Sequence, residues 1–229
     1  CLENEENLDG NITGTRIRET LVKLPHPLDP TRPTTAAMNH GWNEGGYSDV
    51  VDVVGYNYGQ RGMQYVKDKE KYPNRKMLAT ESTSYVATRG EHKDNPGYMS
   101  NFGKGVCWGL QPGEDWKHIV DYPYLSGTFV WTGFDYRGEP TPYRWPCVSS
   151  HFGIMDLCGF PKDGYYAYKA AWVDEPLVHA YPHWNLQGME GDTIRMGVYT
   201  NCEEAELWVN GKSLGRQKSC LLYTSPSPR

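Results

Sequence analysis

The chain has 229 residues, enough for one large core or two smaller ones, and 38% of them are hydrophobic. With 8 Trp and 17 Tyr this composition describes a folded globular protein and argues against a disordered one. A net charge of −5 gives no reason to expect nucleic acid or an anionic membrane as partner, and no apolar run approaches the length of a membrane span.

In chain order, Ile17, Leu21 and Leu24 fall at i, i+4, i+7 and predict a helix over 13–24, stopped by Pro25 and Pro27. A turn at 29–33 leads into a short strand, Thr34 to Met38, and residues 39–47, with three glycines, form a loop. Val50 to Tyr58 is the strongest strand, apolar at nearly every position as a strand covered on both faces must be. A helix over 62–71 follows. The strand Lys76-Met77-Leu78-Ala79-Thr80-Glu81-Ser82 then carries one carboxylate, Glu81, to its end. A helix near 116–121, a strand at 126–132, a Gly/Pro/aromatic loop at 137–162 and a helix at 164–173 complete the alternation, which implies a parallel sheet of βαβ units.

Beyond Pro176 the pattern changes to short strands at 177–181, 193–199 and 205–209, with Asn210-Gly211 as a two-residue hairpin turn. This reads as the opening of a β-sandwich, an architecture that normally needs about seven strands. Residues 219–229 continue none of these patterns and are set aside as a non-native tail. The six cysteines (Cys1, Cys107, Cys147, Cys158, Cys202 and Cys220) lack metal-site spacing and read as free thiols. His179 and His183 are four apart, but Pro182 and strand character take them off a helix face, so no metal site is assigned.

Glu81 is the first functional candidate, because α/β barrels keep their chemistry at the C-terminal ends of strands. The bland reading is a carboxylate that caps a helix or pairs with an Arg. Glu5 stands beside Glu3 and Glu6, which by themselves also read as a solvated acidic end. Tyr58 and Trp131 are core rings by default. His40 and His151 lie in loops near the expected rim, and Asp135 and Arg137 either meet substrate or pin the loop that holds them.

Several stretches together resemble the β-galactosidases of glycoside hydrolase family 2. Cys1-Leu2-Glu3-Asn4-Glu5-Glu6 is similar to the Ser-Leu-Gly-Asn-Glu lead-in of the family's fourth barrel strand, with Glu3 where the family usually has Gly. Gly55-Tyr56-Asn57-Tyr58 looks like the end of strand six, and Ala79-Thr80-Glu81-Ser82 like the end of strand seven. Phe129-Val130-Trp131-Thr132-Gly133-Phe134-Asp135-Tyr136-Arg137-Gly138-Glu139-Pro140 resembles strand eight and its loop. Ser150 to Asp156, Gly159 to Lys162, and Pro182 to Gly215 extend the match, which covers essentially residues 2–218.

The resemblance implies Glu81 as nucleophile and Glu5 as general acid/base. Asn4, Asn57, Tyr58 and Trp131 are implied at the sugar, with Tyr58 also orienting Glu81. No cofactor is implied. Retaining hydrolysis needs two carboxylates about 5–5.5 Å apart and differently protonated. Glu6 is the rival for Glu5; adjacent strand residues point to opposite faces, so one of the two faces the site.

The fold expected is therefore a partial (β/α)8 barrel over 1–175 and an incomplete immunoglobulin-like sandwich over 176–218, cut from a longer enzyme. The function expected is exo-β-galactosidase, with a carbohydrate as partner. A β-glucuronidase or β-mannosidase would keep both glutamates, although no clear cationic carboxylate reader follows Glu81. A non-catalytic carbohydrate-binding protein is the alternative of another class. The isolated half-barrel is expected to be inactive, because it leaves open strand edges. The compartment stays open between periplasm or secretion and cytoplasm.

Overall fold

The computed structural model describes residues 1–219 apart from Asn95, Asn101 and Lys104, so all but the first residue of the set-aside tail lies outside it. Contacts divide the chain into two units, one of residues 1–82 with 121–130, the other of residues 83–120 with the chain from Trp131 onward.

The first unit is built on a four-stranded sheet. Its strands are β1 (Thr35–Met38), β2 (Val53–Asn57), β3 (Met77–Thr83) and β4 (Leu125–Trp131), in the order β1-β2-β3-β4. The last residues of β3 and β4 belong to the second unit. β2 runs parallel to both β1 and β3. Residues 2–5 line the other side of β1, with Leu2 N donating to Thr35 O (2.8 Å) and Glu5 N to Ala37 O (2.9 Å). Spatial order thus follows chain order from residue 2 to β4.

The expected start of β2 at Val50 is displaced. Gly46, at φ 72°, opens a 3-10 turn over Tyr47–Val50. The Asp52 carboxylate then takes the Thr34 amide and hydroxyl (2.7 and 2.8 Å), and the ladder begins only at Val53.

Helix α1 (Ile12–Val22) is capped by Asn11, whose side chain accepts from Thr13 N at 2.7 Å. Its inward face differs from the apolar stripe in the sequence. Ile17 and Leu24 are 47% and 60% exposed, whereas Gly14, Thr15 and Arg18 are buried. The cause is electrostatic: the Arg18 guanidinium lies 3.2 Å over the Tyr47 ring and pairs with Glu3.

Behind β2, helix α2 (Gln64–Lys71) buries Asp68 as the hub of a polar network. Asp68 accepts from Tyr56 OH (2.8 Å), Asn43 Nδ2 (2.6 Å), Gln64 Nε2 (2.8 Å) and Arg75 Nη1 (3.1 Å). Four donors satisfy the carboxylate, which is what burial of a charge demands.

In the second unit, α3 (Pro112–Asp121, all but its last residue) and α4 (Asp163–Trp172) are joined through the buried Tyr168 hydroxyl, which meets Thr83 Oγ1 (2.5 Å) and donates to Asp115 Oδ2 (2.8 Å). Val86, Val106 and Phe152 form its apolar core. β5 (Val178–Tyr181) pairs antiparallel with β6 (Gly197–Thr200), and β7 (Glu204–Val209) with β8 (Lys212–Lys218). The expected strand at 193–199 thus shrinks to a start at Gly197, where a Cβ would meet the Tyr181 ring at 2.3 Å. Asn210 and Gly211 both have positive φ (49° and 76°), as a two-residue hairpin turn requires. No helix among the described residues is long and apolar enough to cross a membrane.

Removing the Asp68 carboxylate would strand Arg75 and Tyr56 in the interior. Asp68→Ala is expected to cost about 3–5 kcal/mol in denaturant unfolding, while the exposed Lys67→Ala changes it by less than about 0.5 kcal/mol.

Candidate active site

Five of the six residues singled out in the sequence meet in the first unit. Asn4 and Glu5 come from the segment beside β1, Asn57 and Tyr58 from the end of β2, and Glu81 from the end of β3. The Asn57 amide donates to Glu5 Oε1 at 2.9 Å and to Asn4 Oδ1 at 3.1 Å. One residue on, the Tyr58 hydroxyl donates to Glu81 Oε2 at 3.1 Å, and its amide to the Glu81 carbonyl at 2.9 Å. Consecutive residues therefore hold the two glutamates. Glu6 is exposed and makes no side-chain hydrogen bond among the described residues.

Glu81 is 8% exposed and Tyr58 9%, and Asn57 is fully enclosed at 1%. The backbone is unusual at both carriers. Glu5 has φ 50° and Tyr58 φ 55°, a region that residues other than glycine rarely enter. Such conformations persist where the surroundings over-determine them, and they gather at functional sites.

Trp131 belongs to the second unit. Its half-buried ring packs on the Val86–Val106–Phe152 core and stands edge-to-face to Tyr136, with centroids 5.8 Å apart. The loop behind it is pinned. The buried Lys162 ammonium donates to Asp135 Oδ1 (2.7 Å) and to the His151 carbonyl (3.1 Å), and Gly153 N reaches the same Asp135 oxygen at 2.8 Å. Burial lowers the Lys162 pKa, and Asp135 opposes that shift. His151 is held by Thr88 Oγ1 at 2.7 Å, and its pKa is lowered by burial and then by Lys162.

His179 and His183 have separate partners. His179 Nε2 lies 2.8 Å from Asp163 Oδ1 and its ring stacks on Tyr166, whereas His183 Nε2 donates to the Gly90 carbonyl at 2.7 Å. No group of three or more His, Cys, Asp or Glu suited to a metal ion occurs among the described residues. The five described cysteines are free thiols.

Two groups were missed in the sequence. One is Thr80, whose hydroxyl donates to Asn57 Oδ1 at 2.7 Å. The other is the buried set of Glu3, Asp9 and Arg18, in which Arg18 pairs with Glu3 and lies 3.6 Å from Asp9. No periodicity marks either one, because each depends on contacts between separate elements.

Comparison with known proteins now gives the class. The chain is similar to a β-galactosidase of Bacteroides ovatus, 40% identical over an alignment of 242 positions that covers 96% of this chain and 27% of that protein. It is also similar to a putative β-glucuronidase of Formosa agariphila, 28% identical across 91% of this chain and 23% of the relative. Among solved structures, a glycosyl hydrolase family 2 member from Bacteroides cellulosilyticus aligns with a TM-score of 0.74 at 27% identity, covering 94% of this chain and 29% of that one. A β-glycosidase from Bacteroides vulgatus aligns at 0.71 and 29% identity, covering 89% and 30%. These are glycoside hydrolases. The similarity to glycoside hydrolase family 2 members extends over nearly the whole of this chain. It spans about a quarter of the length of the curated relatives named here. Residues 191–224 also match a domain of unknown function, DUF4982.

Burial pushes the Glu3 carboxyl from 4.5 up to about 7, against the pull of Arg18. A carboxyl raised on folding stabilises the fold below its unfolded pKa and loses that contribution as pH rises through the folded value. Protection of the α1 amides, corrected for intrinsic exchange rates, is expected to fall between about pH 5 and about pH 8, and Glu3→Gln to flatten the fall. Hydrogen-exchange mass spectrometry on both forms reads this directly.

Proposed function

We propose that the protein carrying this chain is a retaining exo-β-galactosidase that removes terminal β-galactosides with Glu81 as nucleophile and Glu5 as general acid/base. The observation behind this reading is the pairing of both glutamates with the consecutive residues Asn57 and Tyr58. The greater identity to the Bacteroides ovatus β-galactosidase supports galactose as the sugar.

Glu81 attacks the anomeric carbon while Glu5 gives its proton to the departing oxygen, leaving a glycosyl–Glu81 ester. Glu5 then takes a proton from water, the water oxygen bonds to the same carbon, and the Glu81 carboxylate departs. Tyr58 orients Glu81, Asn4 meets the sugar 2-hydroxyl, and Trp131 supplies an apolar floor to the ring. In this reading the parallel sheet is an arc of a (β/α)8 barrel within residues 1–175. Its strands follow one another in chain order, as barrel staves do, without the reversal that marks a doubly wound sheet. The two antiparallel ladders of 176–218 belong to a sandwich module.

β-Glucuronidase is the second reading, favoured by the Formosa relatives. Aryl β-galactoside and aryl β-glucuronide, assayed side by side with the full-length gene product, distinguish the two. On the accepted sugar, Glu81→Gln is expected to lose more than about 10,000-fold in kcat. Glu5→Ala is expected to lose about 100- to 10,000-fold on a substrate whose leaving group needs a proton, and to yield β-glycosyl azide when azide is supplied. Full activity in Glu81→Gln overturns the assignment of Glu81 as nucleophile, whereas sugar binding without hydrolysis by the unsubstituted protein leaves a carbohydrate-binding role. The 229-residue chain alone is expected to show no turnover.

A further inference from the structure

Thr80 sits at an irregularity in the sheet. The register between β2 and β3 runs Tyr56↔Ala79 and then Asn57↔Glu81, so β3 spends two residues where β2 spends one. This is a β-bulge, a device that re-aims side chains beside functional sites. It lets Thr80 reach Asn57 while the next residue, Glu81, meets Tyr58. Room for Thr80 comes from Gly55, where an added Cβ would lie 2.7 Å from Thr80 Cγ2, 2.9 Å from its Oγ1 and 2.1 Å from the Ala36 carbonyl oxygen.

The Asn57 amide is saturated by protein. Its oxygen takes the Thr80 hydroxyl, and its nitrogen serves Glu5 Oε1 and Asn4 Oδ1. With the transferable proton on Oε2, Oε1 is an acceptor before and after that proton leaves, so the amide nitrogen must face it, and Thr80 holds the amide in that sense. At 1% exposure Asn57 presents no surface to a sugar. Glu5 Oε2, in contrast, has no hydrogen-bond partner among the described residues.

We propose that Thr80 and Asn57 are positioning residues for Glu5: they occupy Oε1, so that Oε2 is the oxygen that gives the proton to the leaving group and later takes one from water. Asn57 then acts through Glu5 and Asn4, without contact to substrate. The inference rests on the assignment of Glu5 as acid/base.

The test separates proton donation from general integrity by the choice of leaving group. kcat/KM reports the step that forms the glycosyl-enzyme. A phenyl β-glycoside needs a proton in that step, and a 2,4-dinitrophenyl β-glycoside does not. In the full-length enzyme, Asn57→Ala is expected to lose about 100-fold on the phenyl substrate and less than about 5-fold on the dinitrophenyl one. Thr80→Val, which removes one hydroxyl at nearly constant volume, is expected to lose about 10-fold on the phenyl substrate alone. Thr80→Ser is expected to restore it. Equal losses on both substrates, or no loss on either, overturn the inference and leave the glycosidase reading standing. If the unsubstituted enzyme hydrolyses neither the galactoside nor the glucuronide pair, the glycosidase reading fails and the inference with it.

Discussion

The dipeptide Asn57-Tyr58 is the constraint on which the candidate site depends. Consecutive Cα atoms lie about 3.8 Å apart, and nothing in the sheet can stretch that spacing. By bonding one glutamate to each of the two residues, the chain refers segments 76 residues apart in sequence to a single peptide unit. The dipeptide is fixed from behind. Side chains alternate along β2, so Tyr56 points away from Asn57 and into the Asp68 network of α2. A buried carboxylate with four donors anchors one face of the strand, and Asn57, on the other, meets Glu5.

The second unit relies on the same physics in different form. Lys162 and Asp135 form a buried ion pair that also takes a backbone carbonyl and a backbone amide. The desolvation of two charges is offset by hydrogen bonds that also fix the path of the loop. That loop is rich in Gly, Pro and exposed aromatic rings and has little core of its own. The polar pin works beside apolar packing, because Phe152 of the same loop joins Val86 and Val106 in the core.

The sequence made the architecture legible where one rule applies locally. Val50 to Tyr58 reads as a buried strand because burial on both faces leaves a nearly continuous apolar run, of which Val53–Asn57 forms the ladder, and Asn210-Gly211 reads as a hairpin because few residue pairs tolerate two positive φ values. Glu81 was visible as a lone carboxylate ending an apolar strand. Glu5 was distinguishable from Glu3 and Glu6 only through family resemblance, since three neighbouring glutamates carry no periodic signal. The inward face of α1 was misleading for a physical reason. Ile17 and Leu24 fit the helical stripe, but the cation–π contact of Arg18 with Tyr47 and its pairing with Glu3 turn the polar side inward. Thr80 was invisible, because a threonine in a strand looks the same whether or not the register slips beside it.

That slip has a consequence for how the segment stores its information. Between Ala79 and Glu81 the deciding quantity is the number of peptide units, one more on β3 than on β2. A single-residue deletion there would leave a regular ladder with a glutamate still opposite Asn57, but the Thr80 hydroxyl that holds the Asn57 amide would be gone. Side-chain substitutions at residue 80 keep the extra peptide unit, whereas a change in chain length removes it. The segment behaves as a spacer whose length is counted in whole residues, with no intermediate setting.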